Sequence, residues 1–477
     1  MISIFPSSAI VPTMERMPEE IQQQQLSDTL TRRETRRQLA AIAIPTLGQL
    51  IAEPIYVMVD TALVGRISDV ALAGLSIGST IILTSVGLCL FLAYSTTSRV
   101  SMLMGSGRTR EGLTAGVSGM WLATIIGVIL TALLIITAQP LSYALGARSD
   151  VLSYAISYIS TAGLGITGTL IAYAANGMFR GLQKAGITLW SAIASAVLNV
   201  VLDALFIFGF GWSVAGSGIA TGIAQWFMCA ILLVYLWPIV RKNSISLRPD
   251  FAKVRESAGD GAMLFLRTAA IRIAMVATVI AATSMGTAVL ASYQVLNSSW
   301  NLALNILDAI GVGGQALVGA ALGAGNITRV RSLVKEIEHA GIIWGIGVGA
   351  VFALGGWFGA GLFTTQAQTA QIISVCAVII GAFFPYHGWL WALDGVLIGA
   401  GDFSYLAKLC TLSALVHIFT LTAVFFSLQA FHASTLIQAV CLWLVFNIAF
   451  MGVRGLGNIF RAHGTQWISI ALMRAQK

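Results

Sequence analysis

Long apolar segments separated by short polar ones make up the chain from about residue 40 to about residue 453. Each segment has roughly 20 residues or more, which as an α-helix is enough to cross a hydrocarbon core about 30 Å thick. The pattern predicts twelve membrane-spanning helices, and the divisions near residues 67, 211 and 285 are the weakest. Their expected limits are 40–64, 70–97, 113–138, 152–176, 186–209, 214–238, 257–283, 288–313, 340–361, 371–397, 405–427 and 433–453.

The two halves of the chain repeat each other. "MGSGRTR" at 104–110 aligns with "LGAGNIT" at 322–328, and "NGMFRGLQKAG" at 176–186 aligns with "DGVLIGAGDFS" at 394–404, with the same offset in both matches. A shared offset over two separate motifs indicates duplication, which is common in transporters. We therefore predict two pseudo-symmetric six-helix bundles, 39–240 and 257–453, joined by a basic linker at 241–256. Because six is even, both bundles should have the same orientation in the membrane.

Composition and charge agree with this architecture. Of the 477 residues, 57% are hydrophobic and only 10% are charged, whereas about a quarter are charged in a soluble domain. The net charge of +8 could suggest a nucleic-acid partner, but most of the 27 Lys and Arg residues fall on the two ends and on alternate loops. Only Arg66 and Arg148 lie on the other side. The positive-inside rule then makes 1–38 and 454–477 cytoplasmic tails, in a multi-pass protein of the cell (inner or plasma) membrane that contacts lipid and binds no nucleic acid.

The sequence shows no enzymatic constellation. The five cysteines lie in apolar segments without CxxC pairs, so neither a disulfide framework nor a metal centre is expected from them. There is no GxxxxGK[ST] phosphate-binding loop, so this chain alone cannot drive transport with ATP. We expect no cofactor and no catalysis, and we expect the protein to be a monomer.

Five carboxylates fall within predicted spans, namely Glu53, Asp60, Asp203, Asp308 and Asp394. Each costs roughly 3 kcal/mol to insert into lipid, so each should face a cavity or a partner and is a functional candidate. Structural alternatives remain. Asp203 could reach the membrane surface, Glu53 could be a satisfied core acid, and Asp394 could cap or gate a helix. Asp308 could contact Asn301 or Asn305 on its own helix, or form an ion pair with Arg267 or Arg272, which we favour.

Helical spacing groups some of these polar residues. Asn199 and Asp203 are four residues apart, and Glu53 and Asp60 are seven apart, so each pair lies on one face of its helix. Carboxylates in a low-dielectric cavity either share a proton or bind a small hard cation with help from neutral oxygens. Both outcomes describe an ion-coupling site. Pro45 and Pro54 in the first helix are expected to bend it.

Several stretches together resemble the multidrug and toxic compound extrusion (MATE) family, and within it the DinF-like branch. They are "VDTALVGRISDVALAGLSIG", "MFRGLQKAGITLWSAIASAVLNVVLDALFIFGFGWSVAGSGIATGIAQW" and "LVGAALGAGN". The resemblance covers nearly the whole chain after residue 40. Sodium-coupled relatives use an acid in helix 7, where this chain has Arg267 and Arg272, so that site is not carried over.

The resemblance implies a secondary antiporter that exports organic, often cationic or amphipathic, compounds in exchange for H⁺ or Na⁺ by alternating access. The family's ion site matches Asp60, Asn199, Asp203 and Thr221, which would hold a proton or a sodium ion. Tyr56 and Asn176 match polar positions of the substrate cavity. Glu53, which we also assign to this cavity, departs from the family pattern, since relatives often have an uncharged polar residue there.

Two related functions compete with drug export. A lipid-linked oligosaccharide flippase of the same superfamily would ordinarily have a strongly cationic cavity, whereas here the expected intramembrane arginines are Arg267 and Arg272 only. A metabolite exporter of the same fold is nearly indistinguishable by sequence. A channel or a purely structural membrane protein is disfavoured by the duplication and by the asymmetric buried acids.

Overall fold

A computed structural model describes residues 32–476, so most of the predicted tail 1–38 lies outside the described residues. Twelve helices in this part are long and apolar enough to span a membrane, as predicted. They are α1 Arg32–Val64, α2 Asp69–Gly105, α3 Thr109–Ala144, α4 Ser149–Gly181, α5 Ala185–Gly209, α6 Ser213–Lys242, α7 Phe251–Ser284, α8 Thr287–Gly323, α9 Ile327–Phe363, α10 Ala367–Gly399, α11 Phe403–Ala430 and α12 Thr435–His463. A short helix, α13, follows at Gln466–Gln476.

Many of these helices are longer than the apolar pattern predicts. The ninth span was expected from 340, yet α9 begins at Ile327, because the Asn326 side chain accepts a 2.9 Å hydrogen bond from the Arg329 amide and caps it there. A hydrophobic pattern detects only the part of a helix within the hydrocarbon, whereas the helix itself continues to its cap. The weak divisions are real, and Gly211 and Gly286 form two of the turns with φ values of +70° and +111°.

Helices α1–α6 pack mainly against one another, as do α7–α12, which gives two six-helix bundles. The turns 106–108, 182–184, 324–326 and 400–402 lie together at one end of the molecule, which we call the basic end because the chain's basic loops are there. The two bundles touch near this end, through α2 and α1 of the first bundle and α8 and α7 of the second.

The duplicated glycines explain how closely the bundles approach. A Cβ on Gly105 would lie 2.7 Å from the Ala320 carbonyl carbon, and one on Gly323 would lie 2.8 Å from that of Met102. The two contacts are equivalent under the sequence repeat, because Gly105 corresponds to Gly323 and Met102 corresponds to Ala320. The repeat is therefore visible as a pseudo-twofold helix crossing at the basic end.

The predicted C-terminal tail, 454–477, is helical as far as the structure describes it. Residues 453–463 complete α12, and α13 packs against α8 with Trp467 fully buried. Arg454, which the charge pattern had placed in the tail, is only 1% exposed. The apolar pattern ended too early here because a buried arginine interrupts it.

Candidate functional site

Helix α5 supplies two polar side chains to the interior of the first bundle. Asn199 and Asp203, one turn apart, are both almost completely buried. The helix widens into a π-helical turn at Leu205–Gly209, directly after Asp203. Such π turns are rare and are frequent at functional sites. Because Asp203 is fully buried, it does not extend to the membrane surface, which was the structural alternative for this residue.

Helices α6 and α1 complete the cluster. The Asn199 amide nitrogen donates to the Thr221 hydroxyl on α6 at 3.4 Å. Asp60 on α1 is 3% exposed and lies within hydrogen-bonding reach of both Asp203 and Thr221. Ser217, one turn before Thr221, is a further neighbour of Asp203. The structure thus brings Asp60, Asn199, Asp203 and Thr221 together from three helices, which we call the oxygen cluster.

The oxygen cluster has more acceptors than donors. Among the described residues, Asp60 Oδ1, Asn199 Oδ1 and both oxygens of Asp203 accept no hydrogen bond of good geometry, although the Thr221 and Ser217 hydroxyls lie close to the two carboxyl groups. Buried acceptors without donors are rare in proteins and costly. Two carboxyl groups this close cannot both be ionised without compensation, so the cluster is suited to a proton or a small hard cation. Within residues 32–476, no group of three His, Cys, Asp or Glu side chains converges as a transition-metal site would require.

A small cavity lies beside the oxygen cluster and shares Thr221 with it. Glu53, Tyr56, Tyr158 and Gln225 also line this cavity, and the Gln225 amide donates to the Tyr56 hydroxyl at 3.0 Å. The cavity has a volume of about 40 Å³, which is room for a few waters but not for an organic compound. This cavity is therefore too small for an organic compound in this conformation.

Asn176 is not among the residues that line this cavity. It is 1% exposed on α4, and in the described part of the chain neither of its amide atoms has a hydrogen-bond partner. The cavity lining includes Tyr56 but not Asn176.

Both prolines of α1 lie inside a continuous helix from Arg32 to Val64. Each proline removes a backbone donor and leaves a carbonyl one turn earlier without its helical bond. A bend at Pro45 or Pro54 would therefore need few hydrogen bonds to break.

The acids of the second bundle differ from expectation. Arg267 pairs with Asp394 on α10, not with Asp308, and Arg454 and Asn458 on α12 bind the same carboxylate. Asp308 instead accepts a 2.8 Å hydrogen bond from the Tyr94 hydroxyl of the first bundle. The sequence missed Tyr94, Arg454 and Asn458 because no spacing rule links residues from such distant helices. A buried acid at Asp394 did signal that some cation had to lie nearby.

The position of Arg180 also differs from the expectation. The charge pattern placed it in a loop, but it is buried on α4 and donates to the Gln49 side chain at 2.9 Å. The interior therefore holds more arginine than the expected Arg267 and Arg272, although part of that charge is neutralised by Asp394.

Twelve spans in two bundles, with a buried polar cluster beside a small cavity, are the features of a polytopic membrane transporter. The model of the MatE family matches residues 45–205 and 264–422, so the chain belongs to this family of multidrug and toxin efflux transporters and is not an enzyme.

The chain is similar to several known proteins over most of their length. "Protein DETOXIFICATION 43" of Arabidopsis thaliana is 26% identical, covering 80% of this chain and 84% of the relative. "DNA damage-inducible protein F" of Escherichia coli is 24% identical, covering 88% and 91%. The crystal structure of the Vibrio cholerae MATE transporter VcmN in the bent form superposes with a TM-score of 0.80 at 19% identity, covering 93% and 98%. This last likeness concerns the fold.

Proposed function

We propose that this protein is a secondary active antiporter, a monomer in the cell membrane, that exports organic compounds in exchange for H⁺ or Na⁺. The coupling ion binds in the oxygen cluster of Asp60, Asn199, Asp203 and Thr221. The single observation that carries this proposal is the cluster's surplus of buried acceptor oxygens. A proton or a sodium ion would satisfy those oxygens, and its departure would leave a negative charge in the first bundle.

Ion and substrate compete for the first bundle in this mechanism. With Asp60 ionised, the cavity around Glu53 and Tyr56 favours an organic cation. Ion binding neutralises the cluster, α1 rearranges at Pro45 and Pro54, and the substrate leaves. A ligand can drive such a change only through its different affinity for the two states.

Alternating access follows from the way the bundles meet. They touch near the basic end, through crossings such as that of Gly105 with Ala320. If the basic end is cytoplasmic, as the positive-inside rule predicts, this conformation is closed to the cytoplasm. Opening toward the cytoplasm then requires α2 and α8 to separate.

The decisive experiment is export of ethidium from proteoliposomes with a pH gradient and a sodium gradient imposed separately. Wild-type protein should respond to at least one gradient, and Asp60→Asn protein should insert normally but lose ethidium-stimulated ion exchange. Wild-type exchange rates in Asp60→Asn would refute the coupling role. Absence of transport under both gradients, with altered cell-wall precursors in expressing cells, would favour the flippase.

A further inference from the structure

Arg180 on α4 is a buried arginine whose charge has no direct partner. It is 4% exposed, its Nη2 donates to Gln49 Oε1 at 2.9 Å, and its Nε has no hydrogen-bond partner among the described residues. Within residues 32–476 no carboxylate is ion-paired with Arg180, and Asp308 acts on it only electrostatically. The Gln49 amide satisfies one N–H group but balances no charge, and an unpaired charge in a protein interior is costly.

Asn176 lies one turn before Arg180 on the same side of α4. It is also almost completely buried, and in the described part of the chain neither its Nδ2 nor its Oδ1 has a hydrogen-bond partner. Side chains on a helix lean toward its N-terminus, so the Arg180 side chain extends over the turn that carries Asn176. The unpartnered donors of these two residues therefore lie on one side of α4.

The sequence repeat shows which group is missing at this position. The offset of the two repeat motifs aligns Asn176 with Asp394 and Gln49 with Arg267. In the second bundle the Asp394 carboxylate is ion-paired with Arg267 and with Arg454. Where the second bundle has this carboxylate, the first bundle has a neutral amide. The first bundle thus has a buried arginine at this level without the acid that its counterpart would provide.

The buried charges around this position do not balance. Arg180, Arg267 and Arg454 are all almost completely buried. Asp394 is ion-paired with Arg267 and Arg454, and Asp308 interacts electrostatically with Arg180 and Arg267. Three positive charges therefore face two negative ones in this part of the described structure. A bound water would satisfy the unpartnered N–H groups of α4, but it would leave the third charge uncompensated.

We propose that a small inorganic anion such as chloride binds between Arg180 and Asn176, in the position that the Asp394 carboxylate has in the second bundle. The guanidinium supplies the opposite charge, and N–H groups of both side chains donate hydrogen bonds to the anion. One monovalent anion also balances the one uncompensated charge. The site is distinct from the oxygen cluster, which has a surplus of acceptors and suits a cation.

The test uses chloride as the probe on the purified full-length protein in nanodiscs. Binding of radioactive chloride is measured by scintillation proximity, and the Tm is measured in chloride and in gluconate at equal ionic strength, since gluconate is too large for a buried halide site. Wild-type protein should bind chloride saturably. Its Tm should be higher in chloride, because a ligand that binds only the native state stabilises it.

Asn176→Asp is the decisive variant, because it places a carboxylate where the second bundle has Asp394. It should weaken chloride binding at least about tenfold and should give the same Tm in both salts. Arg180→Gln removes the charge and should also lose chloride binding and the salt dependence of the Tm. Arg110→Gln is the matched control, since Arg110 is exposed at the basic end and contacts the Ser244 carbonyl; it should bind chloride like wild type.

Two results would overturn the anion site. If wild-type protein binds no chloride saturably and has the same Tm in both salts, a water is sufficient to explain the unpartnered groups. If Asn176→Asp and Arg180→Gln both keep wild-type chloride affinity, the anion binds elsewhere. Neither result bears on the antiport mechanism, because these measurements use no gradient and no exported compound.

Discussion

Arg36 Nε, on α1, lies 2.7 Å from Glu336 Oε2, on α9, so the first helix of one bundle is ion-paired to the third helix of the other. Glu336 is buried, with 5% of its side chain exposed. On the opposite edge, Arg99 on α2 pairs with Glu256 on α7 at 2.5 Å. The first helix of each bundle therefore reaches across to the other bundle at the basic end.

Breaking the Arg36–Glu336 pair is expected to favour opening of the basic end. Arg36→Glu would place two carboxylates together and leave the buried Glu336 without its main partner. The measurement is maleimide labelling of Ser98→Cys. Ser98 is buried between the two bundles and donates to the Gly399 carbonyl at 3.2 Å, so its labelling rate reports on their separation. We expect labelling to be several-fold faster.

The controls distinguish this pair from a general charge effect. The exchange variant Arg36→Glu with Glu336→Arg should return labelling toward the wild-type rate. Arg110→Glu makes the same charge change on a side chain whose contact, the Ser244 carbonyl, lies in the linker and not in the second bundle, and it should change little. If Arg36→Glu and Arg110→Glu accelerate labelling of Ser98→Cys equally, the Arg36–Glu336 pair has no specific role in holding the basic end closed.

Thr221 should separate sodium coupling from proton coupling. Its hydroxyl oxygen is a neutral ligand that a sodium ion needs and a proton on Asp60 or Asp203 does not. Thr221→Ala is expected to lower the apparent affinity for sodium about tenfold while keeping pH-driven export within about twofold. Thr221→Ser, which keeps the oxygen, should match wild type. A loss of both activities in Thr221→Ala alone would show that Thr221 acts on the site's shape instead.

Asp394 should be a stability residue. Its carboxylate is ion-paired with both Arg267 and Arg454, so Asp394→Asn leaves two buried positive charges without this counter-charge. Removing one partner of a buried pair typically costs about 3–5 kcal/mol. Thermal unfolding of the purified protein should show a markedly lower Tm.

The matched comparison is a second change that restores the charge balance. Arg267→Gln added to Asp394→Asn returns the cluster to the net charge of the wild type and should recover part of the lost Tm. If the double variant is less stable than Asp394→Asn, geometry rather than charge dominates this cluster.

Gly323 should be required for closure of the basic end. A side chain there meets the backbone of Met102 and Ser106, which cannot move aside as a flexible side chain could. Gly323→Val protein is therefore expected to insert but to lose export. In the Ser98→Cys background it should leave the cysteine accessible to maleimide. Gly259→Val is the comparison, because a Cβ at Gly259 has nothing within 4 Å. Wild-type export in Gly323→Val would show that this crossing is not part of the cycle.

The sequence predicted the helices better than it predicted partners. Hydrophobicity and helix spacing are local properties, so twelve spans and the common faces of Asn199 with Asp203 could be read from short windows. That Asp60, Asn199, Asp203 and Thr221 lie close together was implied only by the resemblance to the MATE family. Nothing local says that α1, α5 and α6 meet, and short windows do not show that Tyr56 lines the small cavity while Asn176 does not.

The sequence by itself determined the twelve spans and the duplication, because lipid imposes a length and a composition on every crossing helix. Only the tertiary structure decided how the buried charges pair. Asp394 binds Arg267 and Arg454, whereas Asp308 binds Tyr94 across the bundle interface. The physical reason is that a buried charge is stabilised by whichever partner the rotation and depth of neighbouring helices bring within a few ångströms, and these quantities are set by packing over the whole molecule.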